Sequence, residues 1–451
     1  MVAMSNQNQA HCVAVIGGAT AGAEIASRLA DRGVSVFVFE QNKRPYGKIE
    51  DGLPRWHEAL REKEYETIDE KLSRPAIQFI PNTKIGRDVS FPELAKEWGF
   101  SAVVLANGAW RDRPLPIEGA DAYLGKGLVY QNPFVIAFNH AMRGDLPGAT
   151  YEVLPGAVIV GGGLASIDVA KVHSLELTIR ALAKRGIETN VVELEVKGIP
   201  KILAGHGLTF ADLEIVPPTI YYRRRVEDMP LMSAPEGADA ARIQKVEAGR
   251  KRMLDKATEK YCFKLEPLSA PEALIVENGR LVGLRFRRTK NENGRLVMQD
   301  ETFEARGPVV ISSIGSIPEP IEGIAMKGEL FDFKDWEIGR LDGYPTVFSV
   351  GNVVTGKGNI VASRKHATQV SEEAVEAYLG VGDGDRSAAV DVRPNVSDAA
   401  RAADKVMTSL GQATPASAEQ LQAVRERVAK LQRAVGYDDY KAWMERVGAP
   451  C

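Results

Sequence analysis

Its 451 residues carry 57 basic and 60 acidic side chains, a net charge of −3, and this near balance argues against nucleic acid or an anionic membrane surface as the main partner. That length, with 44% apolar residues, allows two or three domains with filled cores, and the longest apolar runs have strand length, too short for a spanning helix. Cys12, Cys262 and Cys451 are scattered without a Cys-x-x-Cys, which disfavours a redox disulfide, a cysteine-ligated cluster or a structural zinc, so any redox chemistry requires an organic cofactor.

Residues 1–11 are polar, lack a signal-peptide core and read as a disordered leader on a cytoplasmic protein. An apolar strand at Val13–Ile16 then runs into Gly17-Gly18-Ala19-Thr20-Ala21-Gly22. Helical spacing follows at Ala23, Ile25, Ala26, Leu29 and Ala30, and a second strand, Ser35–Phe39, ends in Glu40. Strand, Gly-rich turn, helix and strand make a dinucleotide-binding unit. Gly17 forms the tight turn, Gly22 lets helix and strand pack closely, the helix N-terminus faces a pyrophosphate, and Glu40 accepts from a ribose. Ala19 stands where the middle glycine of that pattern belongs, and its methyl pushes a pyrophosphate outward. A tight turn in some other α/β fold is the plain alternative.

"SAVVLANGAW" is a further strand, and it stops on Gly108. From Gly156 the strand–turn–helix pattern repeats, with Gly161 and Gly163 in the first two glycine places and Ser166 in the third. Ser166 is small enough for close packing, and its hydroxyl is a candidate phosphate donor. Two such units in one chain predict two dinucleotides. After the second, the fold's next strand has two candidates. "NVVEL" would place the acid Glu193 at the strand end, which favours NAD. The preferred reading makes Val191–Ile215 a helical insertion and "TIYY" the strand, followed by Arg223-Arg224-Arg225. Guanidinium forks suit a phosphate, which favours NADP.

Residues 235–260 read as a charged helix, and 280–305 as a hairpin around Asn293-Gly294. On that hairpin Arg285, Arg287 and Arg288 form a solvated face, or alternatively a docking patch for an acidic partner. "VVISSIG" is a strand ending at Gly315, and Thr346–Val350 leads through a Gly/Asn turn and a Gly-rich loop into a helix that ends at Leu379. Strands that stop on glycine permit close approach of a flat cofactor. A polar linker and a helical tail with Tyr437, Tyr440 and Trp443 complete the chain. That tail either packs on its own protein or holds a partner subunit.

Over residues 12–380 the sequence resembles the two-dinucleotide flavoproteins related to adrenodoxin reductase and to the small subunit of bacterial glutamate synthase. The likeness rests on "VIGGATAG…VFVFE", "PYGKIEDGLP", "GRDVSFPEL", "VVLANGA", "VIVGGGLASIDVAK", "YYRRRVEDMP", "VVISSIG" and "VGNVVTGKGNI". It implies an α/β fold of two Rossmann-like domains with a helical C-terminal tail. The FAD domain is discontinuous (12–150 and 311–380), an NAD(P) domain is inserted at 151–310, and 381–451 form the linker and tail.

By position, the resemblance gives Gly17, Gly18, Ala19, Ala21, Gly22 and Glu40 to the FAD pyrophosphate and ribose. It lines the flavin with Tyr46–His57, including Gly47, and sets His57 near the ring as the catalytic candidate. Gly108, Ala109 and Gly315 pack on cofactor, and Gly351, Asn352, Gly358, Asn359 and Ile360 meet the ribityl and pyrimidine end. Gly161, Gly163, Leu164, Ala165 and Ser166, with Tyr222, Arg223 and Arg224 on the 2′-phosphate, hold NADP(H). The implied activity is hydride transfer from NADP(H) to FAD, with electrons passing to an iron–sulfur carrier such as ferredoxin and no metal in this chain. Two other readings stay open. One is an NAD(H)-linked FAD subunit of a larger iron–sulfur complex of glutamate synthase or 2-oxoacid oxidoreductase type, although the N-terminal cluster cysteines of the glutamate synthase small subunit are missing. The other is a flavin-loaded scaffold with a decayed nicotinamide site.

Overall fold

The computed structural model describes residues 11–141, 148–235, 237–356, 358–381 and 413–448. The expected leader and linker therefore lie almost wholly outside the described residues. In chain order, β1 (Cys12–Ile16), α1 (Thr20–Asp31), β2 (Ser35–Phe39), α2 (Glu58–Leu72), β3 (Ile77–Ile80) and β4 (Ala102–Leu105) come first. Then follow β5 (Leu128–Tyr130), α3 (Gln131–His140), β6 (Val158–Gly161), α4 (Leu164–Ala183), α5 (Val191–Lys197), α6 (Ile199–Ala204), β7 (Thr219–Tyr221) and α7 (Ala240–Tyr261). Next are β8 (Lys264–Glu266), β9 (Ser269–Glu277), β10 (Arg280–Glu292), β11 (Arg295–Arg306) and β12 (Val310–Ser313). The last elements are β13 (Val347–Ser349), α8 (Ile360–Val370), α9 (Ala418–Val435) and α10 (Tyr440–Val447).

These elements form two compact units, one of residues 1–50, 58–111 and 317–451, the other of 51–57 and 112–316. In the first, a five-stranded parallel sheet has the order β13-β4-β1-β2-β3. Every residue of β1 and β4 is buried, as expected of parallel strands covered on both faces, which read as unbroken apolar runs. In the second unit the order β5-β12-β6-β7-β8 is also wholly parallel. An antiparallel sheet β9-β10-β11 is appended, and Asn293 (φ 51°) and Gly294 (φ 82°) turn its hairpin as expected. Both parallel sheets place the strand that carries the Gly-rich turn in the centre. The α/β class with two Rossmann-like sheets and a helical C-terminal region stands.

Strand pairing moves the division between the units. β5 pairs with β12 (Leu128 opposite Val310), so residues 112–150 and 311–316 join the second unit, although the chain-order reading puts them in the first. Val191–Ile215 contains no strand. Asn190 caps α5 by accepting from the Glu193 backbone N–H at 2.9 Å, and Gly198, at φ 88°, separates α5 from α6. β7 pairs in parallel with β6, so Thr219–Tyr221 is the second strand of this fold.

The tail packs on its own protein. A Ser417–Gln420 capping box opens α9. Val424 and Val428, one helical turn apart, are fully buried in the core that also holds Phe39, Trp98 and Leu105. Burial of two such side chains contributes about 1.5–3 kcal/mol each. Among the described residues no helix is long and apolar enough to cross a membrane.

Candidate functional site

The turn after β1 in the first unit is defined by what cannot fit there. A Cβ on Gly22 would lie 1.8 Å from the Gly17 carbonyl oxygen, and one on Gly17 (φ 102°) would lie 2.6 Å from that of Ala106. These contacts pin α1 against the ends of β1 and β4. The helix starts at Ala19 with no side-chain cap and no acid in its first turn, so its N–H groups and positive dipole end meet no anionic side chain there. Glu40 is buried, and its carboxylate accepts from the Gly18 N–H (2.9 Å) and the Asn42 N–H (2.9 Å). The acid is thereby locked onto the turn at the position suited to a ribose.

Late residues return to the same place. A Cβ on Gly351 (φ 77°) would meet the Ala21 methyl at 2.8 Å. The Gly351 N–H donates to His366 Nδ1 at 3.0 Å, and burial lowers the His366 pKa, which keeps that nitrogen an acceptor. Gly358 sits by the Asn352 amide, 3.5 Å from where its Cβ would be. Asn359 is a helix cap, accepting from the Ala362 N–H at 2.7 Å, with Ile360 the first residue of α8. Gly108 (φ 67°) has room for a close neighbour, Ala109 is buried beside it, and the strand-end Gly315 (φ 105°) belongs to the second unit. Asn352 Oδ1 and Asn107 Oδ1 are buried without a hydrogen-bond partner among the described residues. Two orphaned acceptors beside an uncapped helix start fit a group that brings hydroxyls and a pyrophosphate, as FAD does. Asn107 is absent from the sequence-derived set. Its signal is an amide between Ala106, just past the end of β4, and Gly108.

The second unit repeats the device with other residues. A Cβ on Gly161 would lie 2.4 Å from the Ser313 oxygen, and one on Gly162 would lie 2.1 Å from the Tyr222 ring. Gly162 is thus required by a side chain far along the chain, which sequence spacing does not reveal. Gly163 has open space around it and starts α4 with no side-chain cap; Leu164 beside it is 50% exposed and Ala165 half-buried. Ser166 is fully buried and its hydroxyl donates to the Gly163 carbonyl at 2.7 Å. In this structure the hydroxyl is satisfied locally and the small side chain serves packing.

Beyond β7 the three arginines part ways. Arg225 pairs with Asp228 (2.7 Å) and lies 3.8 Å from Glu247 on α7. Among the described residues, Arg223 and Arg224 have no salt bridge or side-chain hydrogen bond. Tyr222, whose hydroxyl donates to the Asp228 carbonyl at 3.1 Å, lines a cleft of about 820 Å³ with Arg224, Arg225, Arg250 and Asn291. Arg250 donates to the backbone oxygens of Glu227 (2.8 Å) and Met232 (2.9 Å), so its charge is not cancelled by those partners. Asp228 and Glu247 also line the cleft and are engaged by Arg225, which leaves the charges of Arg224 and Arg250 to suit a phosphate; Arg223 is not among the lining residues. Glu193, the alternative NAD determinant, lies on α5, half-buried and paired with Lys197 at 2.8 Å, not at a strand end.

His57 is half-buried in the stretch 51–57, which clusters with the second unit. That stretch is fastened by Asp51 to His140 (2.9 Å), by Asn139 to the Asp51 and Leu53 carbonyls (3.0 Å each), and by Arg55 to Glu176 (2.9 Å). The hairpin arginines are paired as well, Arg285 with Glu272 (3.2 Å) and Arg288 with Glu266 (2.5 Å), so that strand face is no bare basic patch.

Residues 11–197 match the Pyridine nucleotide-disulphide oxidoreductase family. The "Glutamate synthase [NADPH] small chain" of Bacillus subtilis is 31% identical over 159 residues, 35% of this chain and 31% of that protein. "Cindoxin reductase" of Citrobacter braakii is 29% identical over 165 residues, 35% of this chain and 34% of its own length. The chain thus spans about a third of the length of these curated relatives. Mycobacterium tuberculosis FprA, solved in complex with NADPH, superposes over 92% of this chain and 99% of its own, with a TM-score of 0.61 at 18% identity. The resemblance read from the motifs is borne out, in sequence over the N-terminal part and in fold over nearly the whole chain.

Proposed function

We propose that this chain is an FAD-dependent oxidoreductase that takes hydride from NADPH and passes electrons to an iron–sulfur carrier. The observation that carries the reading is the contrast at the strand ends. In one unit an acid is bound to the Gly-rich turn, and in the other two arginines, unpaired among the described residues, follow the matching strand. The first suits the hydroxyls of an FAD ribose and the second the 2′-phosphate of NADPH.

FAD, when bound, supplies the chemistry, accepting electrons in pairs and releasing them singly. The protein's own work is binding and alignment. The Gly17–Gly22 turn and Glu40 anchor one end of the flavin nucleotide, while Asn107, Asn352 and Gly351 receive the rest. Gly163, Tyr222, Arg223 and Arg224 hold the nicotinamide nucleotide. His57 would stand near the flavin ring as a positioning group. The scattered cysteines favour direct output from flavin over a disulfide relay, in a cytoplasmic setting.

A second reading is favoured by the relatives' printed names, "small chain" and, for a Geobacter sulfurreducens protein 31% identical over 168 residues, "subunit beta". Under it the chain delivers electrons to a larger iron–sulfur assembly. Anaerobic stopped-flow reduction of the FAD-loaded protein with NADPH and with NADH tests the proposal. Fast bleaching by NADPH and slow bleaching by NADH is expected; equal rates would remove the role given to the arginines. Bleaching by neither would favour the scaffold.

A further inference from the structure

The C-terminal helix α10 grips the stretch Lys43–Glu50 that lies over the first Gly-rich turn. Trp443 Nε1–H donates to the Lys43 carbonyl at 2.7 Å. Arg44, buried and ion-paired with Glu50, also donates to the Val447 carbonyl at 3.1 Å. One carboxylate, Asp69 on α2, accepts from the Tyr46 hydroxyl at 2.9 Å and from the Tyr440 hydroxyl at 2.7 Å. The Tyr440 ring also packs edge-on against Phe79, with centroids 5.3 Å apart.

On its other side the same stretch meets the turn. A Cβ on Gly18 would lie 2.9 Å from Pro45 Cβ, and one on Gly47 would lie 2.9 Å from the Ala19 methyl. Lys43–Gly47 is therefore held between the tail and the Gly18–Ala19 turn. Tyr440 and Trp443 are themselves nearly fully buried.

We propose that α10 is a clamp that orders the Arg44–Gly47 wall of the FAD site, so that Tyr440 and Trp443 are positioning residues for flavin binding. The inference rests on the first unit's being the FAD site. Its physical basis is preorganisation. Arg44–Gly47 contains no strand and only borders a short helix, so without α10 it would have to be ordered when the cofactor binds, at a cost in affinity. α9 has the separate task of covering the core with Val424 and Val428.

The test uses the full chain carrying Tyr440→Phe and Trp443→Phe, which keep an aromatic ring at each position, a smaller one at 443, and delete both donors. Calorimetric titration of FAD into the deflavinated protein is expected to show a Kd raised about tenfold, with faster amide exchange confined to residues 43–50. Binding of adenosine 2′,5′-bisphosphate to the second unit should stay unchanged. Gln432→Ala is the control, because its Nε2 donates to the Phe79 carbonyl (2.9 Å) from α9. It should lower Tm while leaving the FAD Kd within about twofold. An unchanged Kd in the double variant, or an equal rise in Gln432→Ala, overturns the clamp. A wild type that binds no FAD overturns the functional reading itself, and this inference with it.

Discussion

In both parallel sheets the Gly-rich turn sits on the central strand, with the sheet's next two strands in chain order on one side of it, yet the strand next to that centre ends differently in each. In the first unit it ends in Glu40, whose carboxylate accepts from the Gly18 N–H. In the second it ends in Tyr222, whose ring lies across Gly162, followed by two arginines without ion pairs among the described residues. Topology puts that strand end beside the turn in both, and the sign of the charge then selects a hydroxyl or a phosphate as ligand. The turns are tightened by different means too. Gly22 is indispensable in the first, whereas in the second Ser166 replaces it and satisfies its buried hydroxyl locally.

Gly22→Val should break the first unit outright. With the Gly17 oxygen 1.8 Å from the new Cβ, α1 cannot stay seated, and a loss above ~4 kcal/mol is expected. The measurement is the flavin content of the soluble fraction, expected near zero.

The next effect is acid protonation of a histidine buried in the second unit. His173, fully buried and stacked on Phe134 at 5.2 Å, has its pKa pushed down to about 4 by burial. The unfolded chain takes up this proton near pH 6.5 and the folded one does not, so stability is complete above ~6.5 and falls as pH drops towards 4. The shift amounts to ~3 kcal/mol. Asp168 in the same unit, its pKa raised to about 6 by burial, contributes with the opposite sign. The His173 share is therefore read as the difference between wild type and His173→Phe in urea unfolding between pH 7 and 4, with the variant losing less stability on acidification.

Arg223→Ala/Arg224→Ala should raise KM for NADPH about 100-fold, equivalent to ~2.7 kcal/mol, and leave that for NADH within about twofold. Steady-state kinetics with both nucleotides reads this directly. Equal changes for both would show that the arginines hold the fold and not a phosphate. Glu193→Ala has the smallest expected effect. A one-turn surface pair is worth little, so both KM values should stay within about twofold of wild type.

Much of this was legible in the sequence because it is local. The Gly17–Gly22 turn, the Ser35–Phe39 strand ending in an acid, and the Asn293-Gly294 hairpin each declare themselves through backbone demands and apolar period within a few residues. The helical character of Val191–Ile215 also showed in its spacing, which returned the second strand to Thr219–Tyr221. The division into compact units is not legible locally, because β5 joins the second sheet only by pairing with β12, a partner far along the chain.

Sequence alone thus determined the two nucleotide-type units, their strand–turn–helix order, and three arginines at one strand end. It could not tell those arginines apart, because Arg225 is neutralised by Asp228 and by Glu247 from a distant helix while, among the described residues, Arg223 and Arg224 are not. Nor could it assign the tail, whose Trp443 and Tyr440 meet Lys43 and Asp69 at the opposite end of the chain. Charge pairing and close packing act over a few ångströms in space regardless of separation along the chain, so only tertiary structure decided them.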